Sequence, residues 1–232
     1  MEKEQWLLDK FYEHISDNKI EKFESIILDR TKHVTVVLEN IFQPHNAAAV
    51  LRSCDCFGVQ DVHVIENSNR YKPNKDIDMG SSKWLDIHHY NKKEENTVDC
   101  INSLKAKGYK IVATTPHTND CLIEELPLDQ PVALLFGTEA TGLTQAAMDQ
   151  ADAFVKLPMY GFTESYNISV SVALALFNVT ERMRKTENLN WQLSREEKIQ
   201  IRLDWAKKVV KHSKKVENFL IEQFNRFDKP ND

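Results

Sequence analysis

Between residues 33 and 158 six short segments read as strands: "HVTVVL", "DVHVIE", "DIHHY", "YKIVATT", "VALLF" and "AFVKLP". Four of them are near-continuous apolar runs, without the alternation of a strand that shows one face to water. That pattern belongs to parallel strands covered on both faces. Helical segments fall between them, such as "EENTVDCINSLKAKG", where Gly108 suits the end of a helix. The alternation predicts an α/β fold, a parallel sheet with helices on both faces. In such sheets ligands sit beyond the carboxyl ends of the strands, so chemistry is sought in the residues just after each one.

The chain's ends read differently. Residues 1–30 form an N-terminal helical extension, with Trp6, Leu7, Phe11 and Ile15 at helical spacing. Residues 31–185 are the α/β domain. Residues 186–232 are a basic helical C-terminal extension, entered through "TENLNWQL", with Trp205, Val209, Val216, Leu220 and Phe224 along one face. From Arg182 to Lys215 eleven Lys or Arg face four Asp or Glu, so the net charge of −5 hides a basic stripe suited to phosphate. A solvated helix face is the plainer reading of that stripe.

No apolar run approaches the roughly 18 residues of a membrane span, and "MEKEQWLLDKFYEHI" lacks the apolar segment of a signal peptide. Cys54, Cys56, Cys100 and Cys121 have no metal-ligand spacing and read as reduced, buried thiols. The expectation is a cytoplasmic protein that uses no metal and no membrane.

Three stretches after strands carry polar residues. In "NIFQPHNAAAVLRSCDCFGV" a small-residue helix starting at Asn46 carries Arg52; the plain readings are an N-cap and an Arg52–Asp55 pair. "GTEATGL", residues 137–143, has two glycines around Glu139 but lacks both a dinucleotide fingerprint and a P-loop. Its glycines suit a sharp turn and close approach to a bound group, and Glu139 equally suits a helix N-terminus. "MYGFTESYNISVSVALALF", residues 159–177, sets Ser165 and Asn167 ahead of an apolar helix, where N-capping is again the plain reading.

Taken in order and spacing, "NAAAVLRSCDCFGV", "LLFGTEATGL" and "LPMYGFTESYNISVSVALALF" resemble the three motifs of the SpoU (TrmH) RNA 2′-O-methyltransferases of the SPOUT superfamily. The likeness covers about residues 33–185. It implies a deep C-terminal trefoil knot, a homodimer, and S-adenosylmethionine bound in the knot largely through backbone groups. By motif, the cofactor contacts fall near Thr114, Gly137, Leu157, Met159, Ser165 and Tyr166. The catalytic set implied is Asn46, Arg52, Glu139, Ser165 and Asn167. Tyr166 stands where the family more usually has leucine, and Thr163-Glu164 place an acid beside it.

The layout looks like that of the tRNA enzymes that methylate guanosine 18 of the D-loop. Lys207, Lys208, Lys211, Lys214 and Lys215, with Arg182 and Arg184, are expected to grip tRNA phosphates. "GSSKW" resembles a loop of those enzymes and brings in Lys83, while Trp84 reads as a buried anchor. The rival expectations are a ribosomal or anticodon-loop ribose as target, and an RNA-binding homologue without catalysis.

Overall fold

The computed structural model describes residues 3–71, 79–116 and 121–227. They form two compact units, one of Thr31–Trp191 and one joining the described residues up to Arg30 to those from Gln192 onward.

The larger unit is built on a seven-stranded, wholly parallel sheet. Its strands are β1 (Val34–Glu39), β2 (Asp61–Ile65), β3 (Asp86–Tyr90), β4 (Lys110–Thr114), β5 (Cys121–Leu122), β6 (Val132–Phe136) and β7 (Ala153–Lys156). They lie in the order β3-β2-β1-β6-β4-β7-β5. β1, β2 and β6 are buried along their whole length, as their unbroken apolar runs require. Edge strand β3 is only half-buried, which accounts for its polar "DIHHY". β5 escapes a reading by pattern, because two residues cannot display a period.

The helices of this unit are α3 (Pro44–Cys56), α4 (Thr97–Ala106), α5 (Gln145–Gln150) and α6 (Ile168–Lys185). Successive side chains of a strand point to opposite faces, and the core divides accordingly. Val34, Val36 and Leu38 of β1 pack with Val50, Leu51 and Cys54 of α3 and Val172, Leu176 and Val179 of α6. Val37 packs on the other face with Cys100, Ile101 and Leu104 of α4 and Ala147 of α5. α6 buries one side, but Val170, Leu174 and Phe177 are 44%, 41% and 59% exposed. Their spacing of four and three residues makes one apolar stripe open to solvent.

Several local expectations are corrected. α3 begins at Pro44 with Gln43 as its N-cap, so Asn46 lies in the first turn and is not a cap. Proline at the first helical position is the signal that fixes this start. Arg52 forms no ion pair with Asp55; it is exposed and has no hydrogen-bond or ion-pair partner among the described residues. None of the four cysteines forms a disulfide, yet Cys56 is exposed and Cys121 half-buried, so only Cys54 and Cys100 are interior. Trp84 is half-buried rather than a fully buried anchor.

The smaller unit is helical: α1 (Lys3–Tyr12), α2 (Asp17–Ile26), α7 (Arg195–Val209) and α8 (Ser213–Phe227). The two terminal extensions, separate in sequence, pack on one another. Trp205 is buried against Phe23, ring centroids 5.5 Å apart, and Trp6 meets Phe224 at 5.3 Å. Glu24 accepts from Tyr12 Oη at 2.9 Å and pairs with Arg202. Ser194 and Glu197 form the capping box that starts α7. At the turn between α7 and α8, Lys208, Lys211, Lys214 and Lys215 are all exposed.

Candidate functional site

β1, β6, β4 and β7 are consecutive neighbours in the sheet, and being parallel they end on the same edge. The segments leaving that edge are 40–46 after β1, 137–143 after β6 and 157–167 after β7, which carry the three polar stretches of the sequence, and 114–116 after β4, which opens with Thr114. The topology therefore collects stretches up to 121 residues apart in the chain.

Their meeting point is the Glu139 carboxylate. Its Oε1 accepts from Asn46 Nδ2 at 2.8 Å, Asn167 Nδ2 at 2.7 Å and the Ile168 backbone N–H at 3.3 Å. Asn167 Nδ2 also donates to Asn46 Oδ1 at 3.2 Å, closing a triangle. Asn46 Nδ2 has a second acceptor in Gln43 Oε1 at 3.0 Å, so the loop before α3 holds its orientation. Asn46 is buried, whereas Glu139 and Asn167 face solvent. The plain and the functional readings coexist here. Asn167 is the N-cap of α6, its Oδ1 accepting from Ser169 N at 2.9 Å, and Glu139 takes the first N–H of the same helix.

Beside the triangle lies a cleft of about 460 Å³, within the usual size of a small-molecule site. Thr114, Gly137, Leu157, Met159, Ser165 and Tyr166 all line it, as do Glu139, Glu164 and Ile123. Its wall at 137–143 is a loop folded back on itself. Thr138 N donates to Gly142 O at 3.0 Å and Gly142 N to Thr138 O at 2.9 Å, with Gly142 at φ 70°. A Cβ on Gly137 would lie 2.1 Å from the Gly142 carbonyl carbon, so nothing larger than glycine fits. Tyr166 Oη donates to Pro158 O at 3.1 Å, bracing the loop that precedes Ser165. Thr114 Oγ1 donates to Leu135 O at 2.7 Å, tying the end of β4 to β6.

Other candidates take no part in the triangle. Arg52 is on the solvent side of α3, joined to the triangle by the helix alone. Ser165 is exposed and makes no hydrogen bond with a described residue. Lys83 is exposed, its ammonium 5.2 Å from the Trp84 ring centre.

The basic residues divide into two groups. Arg182 donates to the carbonyls of Ile123, at 2.8 Å, and Leu126, and burial lowers its pKa. Arg184 donates to Phe57 O at 3.0 Å and lies over Trp191. Both guanidinium groups thus hold the fold together, a role their place in a basic stripe did not signal. In the smaller unit Lys207 pairs with Glu217 at 2.6 Å, and Lys208 and Lys211 are exposed. Gln43 and Glu39, whose carboxylate is buried at the end of β1, also belong to the site's surroundings and carry no motif. The only cue was a charged residue inside the apolar run "VVLEN".

Among the described residues no helix is long and apolar enough to cross a membrane, and no cluster of side chains is fit to hold a metal ion. Residues 33–177 match the model of the SpoU rRNA Methylase family. A tRNA (guanosine(18)-2′-O)-methyltransferase from Borreliella burgdorferi is 40% identical over 214 residues, 92% of this chain and 94% of that protein. The crystal structure of the TrmH/SpoU tRNA modifying enzyme of A. aeolicus superimposes with a TM-score of 0.75 at 27% identity. That match covers 84% of this chain and 98% of the other. The SpoU methyltransferase AviRb of Streptomyces viridochromogenes, solved with AdoMet, shares the fold. Its TM-score is 0.56 at 24% identity, over 68% of this chain and 60% of its own. The three stretches that meet at Glu139 lie within the matched residues, and the chain belongs to the SpoU methylase family.

Proposed function

We propose that the protein transfers a methyl group from S-adenosylmethionine to the 2′-oxygen of guanosine 18 in the D-loop of tRNA. The observation that carries this reading is the Asn46–Glu139–Asn167 triangle beside the cleft. Three separated motifs supply one polar centre, and the relative that matches over nearly the whole chain is named for that reaction.

The cleft residues suit the cofactor. The glycine-tight loop at 137–143 offers backbone groups at close range, and Leu157 and Met159 offer apolar surface for a base. Thr114, Gly137, Leu157, Met159, Ser165 and Tyr166 are the proposed contacts. When bound there, S-adenosylmethionine supplies an electrophilic methyl group. The chain's own work is to position the ribose hydroxyl and to favour its ionised form. Asn46 and Asn167, held by Glu139, orient ribose or the arginine, and Ser165 is exposed to reach the same group. Arg52 has a guanidinium whose donors are unspent among described residues. Arg52 acts by stabilising the developing alkoxide with its guanidinium while phosphate or water takes the proton.

The same reading includes the deep trefoil knot of the superfamily in residues 31–185 and a cytoplasmic homodimer. The exposed stripe of Val170, Leu174 and Phe177 on α6 supports the dimer, because a solvated helix face of this kind calls for a partner. Lys83 and the exposed lysines Lys208 and Lys211, with Lys207, are the proposed phosphate contacts. Arg182 and Arg184 join them only with donors left over from their carbonyl bonds.

The test is methyl transfer from labelled S-adenosylmethionine to unmodified tRNA and to ribosomal RNA in parallel. Label on tRNA alone is expected. Label on ribosomal RNA alone moves the substrate, and a protein that binds tRNA without transferring label is a binding homologue.

A further inference from the structure

At the end of β1, just past the Leu38–Phe136 pairing, the Glu39 side chain is 1% exposed and collects three donors. Oε1 accepts from Thr97 Oγ1 at 2.5 Å and Thr144 Oγ1 at 2.8 Å, and Oε2 accepts from Thr144 N at 2.8 Å. No lysine, arginine or histidine pairs with it among the described residues. Thr97 opens α4 and Thr144 is the N-cap of α5, so the carboxylate sits at two helix N-termini, where negative charge is favoured.

Its position bears on the site. Four residues after Glu39 the chain reaches Gln43, and three more bring it to Asn46. The other attachment, Thr144, is the residue directly after the 137–143 loop that carries Glu139. One buried carboxylate therefore holds the near ends of both segments whose side chains meet at 2.8 Å. It also fixes the exit of the loop that walls the cleft. We propose that Glu39 is a positioning residue for methyl transfer, setting the spacing between the Asn46 segment and the Glu139 loop. This rests on the function proposed above.

The charge is less important than the acceptors. In Glu39→Gln the amide oxygen still accepts from Thr144 N, and the amide nitrogen donates to the two threonine hydroxyls, which then accept. Glu39→Ala leaves the Thr144 N–H without its partner and frees the loop. Since small misplacements of catalytic groups carry large kinetic costs, Glu39→Ala should lower kcat by roughly tenfold or more. It should also weaken S-adenosylmethionine binding measured by calorimetry, with tRNA affinity unchanged and most of the loss restored in Glu39→Gln. Thr144→Val, which removes one of the bonds, moves both readings the same way by less and serves if Glu39→Ala does not fold. Thr35→Val removes a buried bond at the far end of the same strand, to Asp61 O, and should lose stability without losing either function.

Cofactor affinity and kcat at the wild-type level in folded Glu39→Ala would overturn the inference. So would equal losses in the Gln and Ala variants, or the same losses in Thr35→Val. Wild-type protein that binds S-adenosylmethionine but methylates no RNA would overturn the proposed reaction instead, and cofactor affinity would still decide the role of Glu39.

Discussion

Asn46 and Arg52 share one helix and face different surroundings. Six residues of α-helix turn through about 240°, so Asn46 is buried against Glu139 while Arg52 meets solvent. Arg52→Ala therefore leaves the triangle intact. It should lower kcat on the order of 100-fold, the scale of losing one charge-stabilising donor, while tRNA affinity in a filter-binding assay is unchanged. Retained activity would remove Arg52 from the mechanism. A second residue-scale effect concerns stability. Burial, and then the charge of neighbouring His88, push His63 down to about 3, with Asp61 opposing and Lys107 adding. His63 stacks on His88 at 4.6 Å and meets Tyr90 Oη at 3.2 Å. Unfolded histidine takes up a proton near pH 6.5. Between that pH and 3 the unfolded chain binds more protons, so stability falls as pH falls, by up to about 1.4 kcal/mol per pH unit. Asp61 adds to the loss only below its unfolded range: burial pushes its carboxyl up, but His88, whose Nε2 lies 3.4 Å away, and Lys32 outweigh it and hold the carboxyl low. Urea midpoints of wild type and His63→Gln should diverge in slope between pH 7 and 4.5; parallel slopes would refute the assignment.

At the scale of elements, the 137–143 loop is the most constrained piece of the cleft. Gly137→Ala puts a methyl 2.1 Å from backbone that cannot yield as a side-chain tip would. The loop must open, and cofactor binding should be lost while the sheet still folds, as read by calorimetry and circular dichroism. Normal affinity in this variant would mean that the loop does not wall the cofactor. How much of this was legible from sequence depends on range. The six strands were readable because runs such as "VALLF" and "HVTVVL" carry their own burial. The start of α3 is legible too, in Pro44 rather than in Asn46. The carbonyl partners of Arg182 lie 56 and 59 residues away, and that of Arg184 lies 127 away. No local pattern distinguishes such an arginine from a phosphate grip. Likewise Asn46, Glu139 and Asn167 are each ordinary capping residues in isolation, and only the resemblance to known motifs joined them before the sheet order did.

For the whole molecule, the open stripe on α6 predicts self-association. A charge at its centre, Leu174→Asp, leaves the buried side of the helix untouched and should convert a dimer to a monomer in sedimentation velocity. A wild-type protein that sediments as a monomer at micromolar concentration would contradict the proposed assembly. The reaction is narrower than fold or assembly: one ribose oxygen on one nucleotide receives the methyl group. The direct measurement uses two tRNA transcripts, identical except that guanosine 18 carries 2′-deoxyribose in one of them, each incubated with labelled S-adenosylmethionine. Transfer to the ribose transcript and none to the deoxyribose one is the expected result. Equal labelling of both would contradict it.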